Sequence, residues 1–381
     1  MSNPTFSNNL KSHGQIQISK NLNTEKILNA LSNENLKKFI ENDSDKKEIL
    51  DSIFNKKELN FPISNHEIFY CNQLKEPLEI LNYLVFRFKL YKANLFHTVY
   101  DFPPYLLIEP VSACNLRCPM CFQVDKSFTR KPFMGMMKWD LFTKVVDEAN
   151  EIGVGAITLA SRGEPTMHPK YSDMLKYVSN KKNIYELKTN TNATFLDEKI
   201  CNSIFENNVS TVVISADHYE KKQFETLRKG SDFEKIVKNV EMLFEIRQKN
   251  FSDSKTEIRI SGIDYYKNLD REKFNNFWSK ISDNVSAGYA VERWDTYNNE
   301  PSKNINSSCS YLWDRMYVWF DGKCNPCDAD YKSYLSYGNV KDSSIAEVWN
   351  SQELKDLRSK HLEGKRCQLN PCDRCGLEFG E

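Results

Sequence analysis

The sequence predicts an α/β fold: a parallel sheet of six strands, with a helical module before it and a small cysteine-rich domain after it. Three observations predict this. Between Tyr105 and Val291, short apolar runs alternate with helical patterns of roughly 10–15 residues, the signature of βαβ units. Before them the chain shows helical periods only. After residue 300 come six of the 11 cysteines.

Residues 1–20 are polar, rich in Asn and Ser, and read as a loose tail. From Asn23 to Lys57, Ile27, Leu28, Leu31, Leu36, Phe39 and Ile40 recur at helical spacing and predict short helices. A stronger helix is expected over Glu76–Phe96, where Leu78, Leu81, Leu84, Val85, Phe88 and Leu90 form a wide apolar stripe. These make an N-terminal module over residues 1–100. The expected strands are Tyr105–Glu109, Ala156–Ala160, Ile184–Thr189, Thr211–Ser215, Glu257–Ser261 and Val285–Val291. Helices are expected over Lys138–Ile152, Tyr171–Ser179, Leu196–Asn207, Phe233–Lys249 and Arg271–Lys280, each bounded by Pro, Gly, Asn or Asp. This core spans residues 101–300. The Asn-, Ser- and Pro-rich stretch Asp295–Ser308 sets a boundary near residue 300. The last domain, 301–381, begins with a hairpin over Arg315–Phe320 turning at Asp321-Gly322, then a helix near Ser344–Leu357 and a cysteine-rich end.

Charge and length exclude several classes. Lys+Arg (52) equal Asp+Glu (52), which argues against a nucleic-acid binder or an acidic tail. No apolar run approaches the ~18 residues of a membrane span. The first residues lack a basic segment and an apolar segment, so a cytoplasmic, reducing location is expected. There, clustered thiols bind metal or do chemistry, and an odd cysteine count fits no closed disulfide framework.

Cys114, Cys118 and Cys121 lie in the loop after the first strand, the end of a parallel sheet where ligands bind. Soft thiolates select zinc or iron–sulfur clusters. Structural zinc wants four ligands, and no fourth Cys or His is close in sequence. Three thiols on a four-iron cluster leave one iron open.

The Cys-x3-Cys-x2-Cys spacing resembles the radical S-adenosylmethionine (SAM) enzymes, over about residues 103–295. Ala160-Ser-Arg162-Gly163-Glu164-Pro165 is similar to the family's Gly-Gly-Glu motif, with Arg162 in place of the first Gly. Thr191-Asn192-Ala193-Thr194 is similar to its Thr-Asn-Gly segment, with Asn190 as a rival polar contact. Ser215, and Arg228 downstream, resemble the Ser and Arg that contact SAM. Met120 holds the position that lies against adenine, with Phe122 beside it. The resemblance implies a partial (β/α)6 TIM-like barrel, a [4Fe-4S] cluster with an open iron, and SAM held by Met120, Phe122, Gly163, Glu164, Asn192, Ser215 and Arg228. It implies an electron donor such as flavodoxin or ferredoxin. It also implies reductive cleavage of SAM to a 5′-deoxyadenosyl radical that abstracts hydrogen from substrate.

Cys309, Gly322, Cys327 and the closing pair Cys372 and Cys375 resemble the SPASM/twitch extension of that superfamily. The 44 residues between Cys327 and Cys372 exceed the gap of a zinc ribbon. The resemblance implies an auxiliary [4Fe-4S] cluster on Cys309, Cys327, Cys372 and Cys375, with zinc or two clusters as alternatives. Cys324 and Cys367 are extra, and are candidate hydrogen donors if the chemistry is redox-neutral. Arg259, Asp264, Glu292, Arg293 and Asp295, near the ends of the last strands, are acid–base candidates, with His168 and His218 after strands two and four.

The leading expectation is an oxidoreductase-like enzyme on a small polar substrate (a sugar, nucleotide sugar or aminocyclitol), by oxidation or epimerisation. A maturase for a ribosomally made peptide comes second, and a non-enzymatic iron–sulfur carrier third. Neither nucleic acid nor membrane is expected as a partner.

Overall fold

The computed structural model describes residues 24–39, 43–290, 295–301 and 305–375. The expected tail and Ile40 lie outside them. The N-terminal module consists of α1 (Thr24–Leu31), a 3-10 turn (Glu34–Phe39), α2 (Ser44–Lys56), α3 (Asn65–Gln73) and α4 (Pro77–Phe96). α3 is not expected from the sequence. Its residues lack an apolar period, and a capping box between Ser64 and Glu67 starts it instead. Leu81, Leu84 and Phe88 of α4 are buried against α1 and α2.

The core follows as β1 (Tyr105–Ile108), α5 (Trp139–Ile152), β2 (Ala156–Leu159), α6 (Tyr171–Ser179), β3 (Glu186–Thr191), α7 (Glu198–Glu206), β4 (Thr211–Ser215), α8 (Lys221–Leu227), α9 (Phe233–Asn250), β5 (Glu257–Asp264), α10 (Arg271–Trp278) and β6 (Asn284–Tyr289). The strands pair in parallel in chain order, β1 to β6. Leu106, Ile108, Ile157, Leu159, Val212, Ile214, Ile258 and Ile260 point to the helices and form one core with them. Successive side chains alternate across a strand, so their neighbours line the concave face. This is a partial barrel of the TIM type with a helical region before it.

The C-terminal segment adds α11 (Tyr311–Asp314), β7 (Arg315–Val318), β8 (Lys323–Asn325), β9 (Gly338–Asn339), α12 (Ile345–Trp349) and α13 (Gln352–Leu362). β7 and β8 are antiparallel about Asp321-Gly322, and Gly322 has φ 83°. The hairpin is not free-standing. β7 lies parallel on β1, pairing Tyr105 with Arg315, so the sheet runs β6-β5-β4-β3-β2-β1-β7-β8-β9. The single helix expected over Ser344–Leu357 is two helices. Ser351 caps the second by accepting from Leu354 N–H, which breaks the run after Trp349.

Among the described residues, no helix is long and apolar enough to cross a membrane.

Candidate active site

The loop from Glu109 to Val124 leaves the C-terminal end of β1 and carries Cys114, Cys118 and Cys121. Backbone bonds fasten it at both flanks: Arg117 N–H donates to the Lys229 carbonyl (2.8 Å) and Glu164 N–H to the Ala113 carbonyl (2.9 Å). The buried Gln123 amide donates to the Ser112 (2.7 Å) and Arg162 (2.6 Å) carbonyls. The three thiols are electrostatic neighbours of one another. Burial pushes Cys114 up to about 11 and Cys121 up to about 12. Binding iron there removes the protons and supplies the positive charge that burial withholds.

Glu164 is buried beside Cys114. One carboxylate oxygen accepts from Thr191 Oγ1 (2.7 Å) and Thr166, the other from Asn192 N–H (2.7 Å). Burial pushes the carboxyl above its ordinary range, against the bonds from Thr166, Asn192 and Thr191. An ammonium group arriving at a free lone pair favours the ionised carboxylate. Gly163 is required by close approach, because a Cβ there would stand 2.2 Å from the Val111 carbonyl. Asn192 Nδ2 lies 3.8 Å from Cys114 Sγ. Ala193, where the resembling segment has Gly, keeps a left-handed φ of 61°.

Arg162 has a structural partner that sequence reading missed. Its guanidinium meets Glu109 through Nε (2.6 Å) and Nη2 (2.6 Å), donates from Nη1 to the Tyr331 carbonyl (2.8 Å), and stacks 4.1 Å from the Trp319 ring centroid. Glu109 directly follows β1, while Trp319 and Tyr331 belong to the C-terminal domain. The loop before Gly163 bends through Ser161 at φ 123°, a strained value.

Other expected residues fall differently. Phe122 is buried, stacked on Tyr331 (4.9 Å, 18°) and edge-on to Phe128. It joins the thiol loop to the C-terminal domain. Arg228 is bidentate to buried Asp217 (2.7 and 3.0 Å) and also borders Cys118. Ser215 lies half-buried on the concave face at the end of β4, and Met120 is half-buried in the thiol loop. His168 is tied to the Met137 carbonyl and the Lys170 N–H, and His218 accepts from Glu220 N–H. Asp264 accepts from the Asn268 and Leu269 N–H groups, and Asp295 from Asn298 Nδ2. Glu292 and Arg293 lie outside the described residues. Arg259 projects from β5 onto the concave face, its Nη2 3.5 Å from Ser286 Oγ.

The second thiol set gathers from three places. Cys309 precedes α11, Cys327 follows β8, and Cys372 opens the 3-10 turn Cys372–Arg374 that Cys375 follows. The strongest electrostatic neighbours of Cys327 are Cys375, Cys372 and Cys309. Burial pushes Cys309 up to about 12, partly offset by Arg366. Four converging thiols fit a fully ligated four-iron cluster. Cys324 is elsewhere. It is fully buried in the core, 3.6 Å from the Gly322 carbonyl, with Asp321 and Glu148 as its charged neighbours, so it reaches no substrate. Cys367 stands on the 3-10 turn Arg366–Gln368.

A profile of the radical SAM superfamily matches residues 108–277, and one described as an iron-sulfur cluster-binding domain (SPASM) matches 309–376. The tungsten-containing aldehyde ferredoxin oxidoreductase cofactor-modifying protein of Pyrococcus furiosus is 26% identical over 302 residues, covering 67% of this chain and 83% of that protein. The fold is similar to BtrN in complex with AdoMet and 2-DOIA (TM-score 0.50, 17% identity, 74% of this chain and 95% of that one). It is also similar to Streptococcus suis SuiB bound to precursor peptide SuiA (TM-score 0.56, 18% identity, 88% and 83%). A parallel βα barrel with an open three-thiol loop, followed by four converging thiols, defines an iron–sulfur enzyme that works on SAM. Residues 108–277 are a radical SAM domain and residues 309–376 a SPASM domain. The chain's cofactors are a [4Fe-4S] cluster, SAM and an auxiliary iron–sulfur cluster.

Proposed function

We propose that this enzyme cleaves SAM reductively and uses the 5′-deoxyadenosyl radical to oxidise a small polar substrate, such as a sugar, nucleotide sugar or aminocyclitol. Cys114, Cys118 and Cys121 hold the first cluster. Glu164 takes the SAM amino group, and Gly163 lets the motif pass close under the thiol loop. Asn192, Ser215, Arg228 and the Met120–Phe122 segment complete the cradle. Cys309, Cys327, Cys372 and Cys375 hold the auxiliary cluster, whose closed coordination suits it to take an electron rather than bind substrate. A flavodoxin or ferredoxin supplies the first electron.

One observation carries the choice of substrate. Ser215, Ser261 and Ser286 are register partners across β4, β5 and β6, all half-buried on the concave face. A row of short hydroxyls at the mouth of a barrel suits a compact, hydrogen-bonding ligand. Among the described residues the N-terminal module is wholly helical, so it offers no strand edge for a peptide to extend. The second reading is peptide maturation, favoured by the likeness to SuiB over 88% of the chain.

Isotope transfer tests the choice. With dithionite and SAM, deuterated polyols are expected to deliver deuterium into 5′-deoxyadenosine. Deuterium arriving only from a peptide replaces the first reading with the second, and absence of 5′-deoxyadenosine rejects both.

A further inference from the structure

Arg259 differs from the other buried arginines, of which Arg358 and Arg366 donate to backbone carbonyls. Arg162, Arg228, Arg247 and Arg315 each meet a carboxylate through two nitrogens. Arg259 meets no carboxylate among the described residues. Among the described residues its Nε is buried without a hydrogen-bond partner, and its one hydrogen bond there is the long contact to Ser286 Oγ at 3.5 Å. The nearest acid along the strand, Glu257, is committed to Asn284 Nδ2 (3.2 Å) and Thr211 Oγ1 (3.3 Å). Burial lowers the Arg259 pKa, only partly offset by Glu257. A guanidinium nevertheless stays charged in a protein.

Its place in the barrel is defined by register. Ile258 and Ile260 pack among the helices, so Arg259 faces the concave side. It sits two residues nearer the barrel floor than Ser261, the register partner of Ser215, or about 7 Å deeper at the rise of a parallel strand. That is below the level proposed for SAM, on the same concave face of the sheet.

We propose that Arg259 seats an anionic group of the substrate, a carboxylate or a phosphate, and so fixes which end of the substrate faces the radical. The planar fork suits both oxyanions, and Ser286 donates a further hydrogen bond. This rests on the reading of a small polar substrate and narrows it to an anionic one.

The test uses the whole reconstituted protein with saturating SAM, titrated with inorganic phosphate or with malonate at constant ionic strength and followed by melting temperature. One of the two is expected to bind saturably, and which one binds separates phosphate from carboxylate. Arg259→Gln is expected to weaken that binding by at least about tenfold, and Arg259→Lys to restore part of it. Without anion, Arg259→Gln is expected to melt no lower than the native protein, because it removes an unpaired buried charge. No saturable response in the native protein overturns the proposal. So does an unchanged response in Arg259→Gln. Formation of 5′-deoxyadenosine by the native protein is read separately, so failure of the anion seat is distinguishable from failure of the radical SAM reading.

Discussion

Glu109 and Arg162 are the least exposed ion pair in the site, and each also serves a third party. Glu109 Oε1 accepts from Phe320 N–H at 3.2 Å, and Arg162 holds the Tyr331 carbonyl. Removing one partner of such a pair leaves an uncompensated buried charge. Glu109→Gln is therefore expected to destabilise the protein by about 3–5 kcal/mol, measured by urea unfolding. Glu109→Leu combined with Arg162→Leu is expected to cost less than the sum of the two single changes. Gly163→Ala acts in the same loop by sterics alone. Its Cβ meets backbone carbonyls that cannot rotate away, so a loss of about 1–3 kcal/mol is expected, together with weaker SAM binding by equilibrium titration. The glycine was legible because the motif names it. The ion pair was not: Glu109 and Arg162 are 53 residues apart, and a bidentate contact leaves no local periodicity. Arg162 looked like a departure from a glycine motif, whereas it ties that motif to the C-terminal domain.

At the scale of elements, strands and helices of the core were legible because each strand is a short apolar run and each helix an amphipathic one. What a period cannot reveal is which edge a later strand joins. β7 pairs with β1 across some 200 residues of chain, and this places Trp319 and Tyr331 over the motif loop. The attachment of the N-terminal module was equally hidden. α3 and α4 close on the start of β3 through Glu186, which accepts from Tyr83 Oη (2.9 Å) and pairs with Lys188 (2.7 Å) and Arg87 (3.2 Å), while Arg87 also holds Glu67. Burial opposes the Glu186 charge, but Lys188, Arg87 and His66 outweigh it and hold the carboxyl well below its usual range. A depressed folded value stabilises the fold above the unfolded pKa, and that stability is lost as pH falls through the folded value. Glu186→Gln is thus expected to lose about 3–5 kcal/mol at pH 7. The gap between variant and native protein is expected to stay constant down to about pH 4 and narrow below it. Urea midpoints across that range check the sign; a gap that widens on acidification contradicts the network.

Across the whole molecule, two thiol sets share one sheet. The first leaves β1 at its C-terminal end, and the second is organised by the hairpin that extends the sheet from that same strand. Phe122, next to Cys121, stacks on Tyr331, four residues after Cys327, so a short aromatic contact spans the two loops. The sequence showed nine cysteines in two groups, and the resemblance singled out Cys309, Cys327, Cys372 and Cys375, but nothing in it could show that Cys324 turns into the core. That sorting depends on strand alternation: Cys324 lies on β8 among the buried residues of the helix-side core. The division makes the iron content decisive. Anaerobically reconstituted protein is expected to hold about eight irons, from two four-iron clusters. Cys118→Ala is expected to drop to about four irons and lose 5′-deoxyadenosine formation. Cys327→Ala is expected to drop to about four as well, while the dithionite-reduced protein keeps the electron paramagnetic resonance signal that responds to SAM. Cys324→Ala is expected to keep the full iron content and lose only stability, by about 1–3 kcal/mol for a cavity in the core. Loss of iron in Cys324→Ala would place that thiol on a cluster, and four irons with one zinc in the native protein would remove the auxiliary cluster from the account.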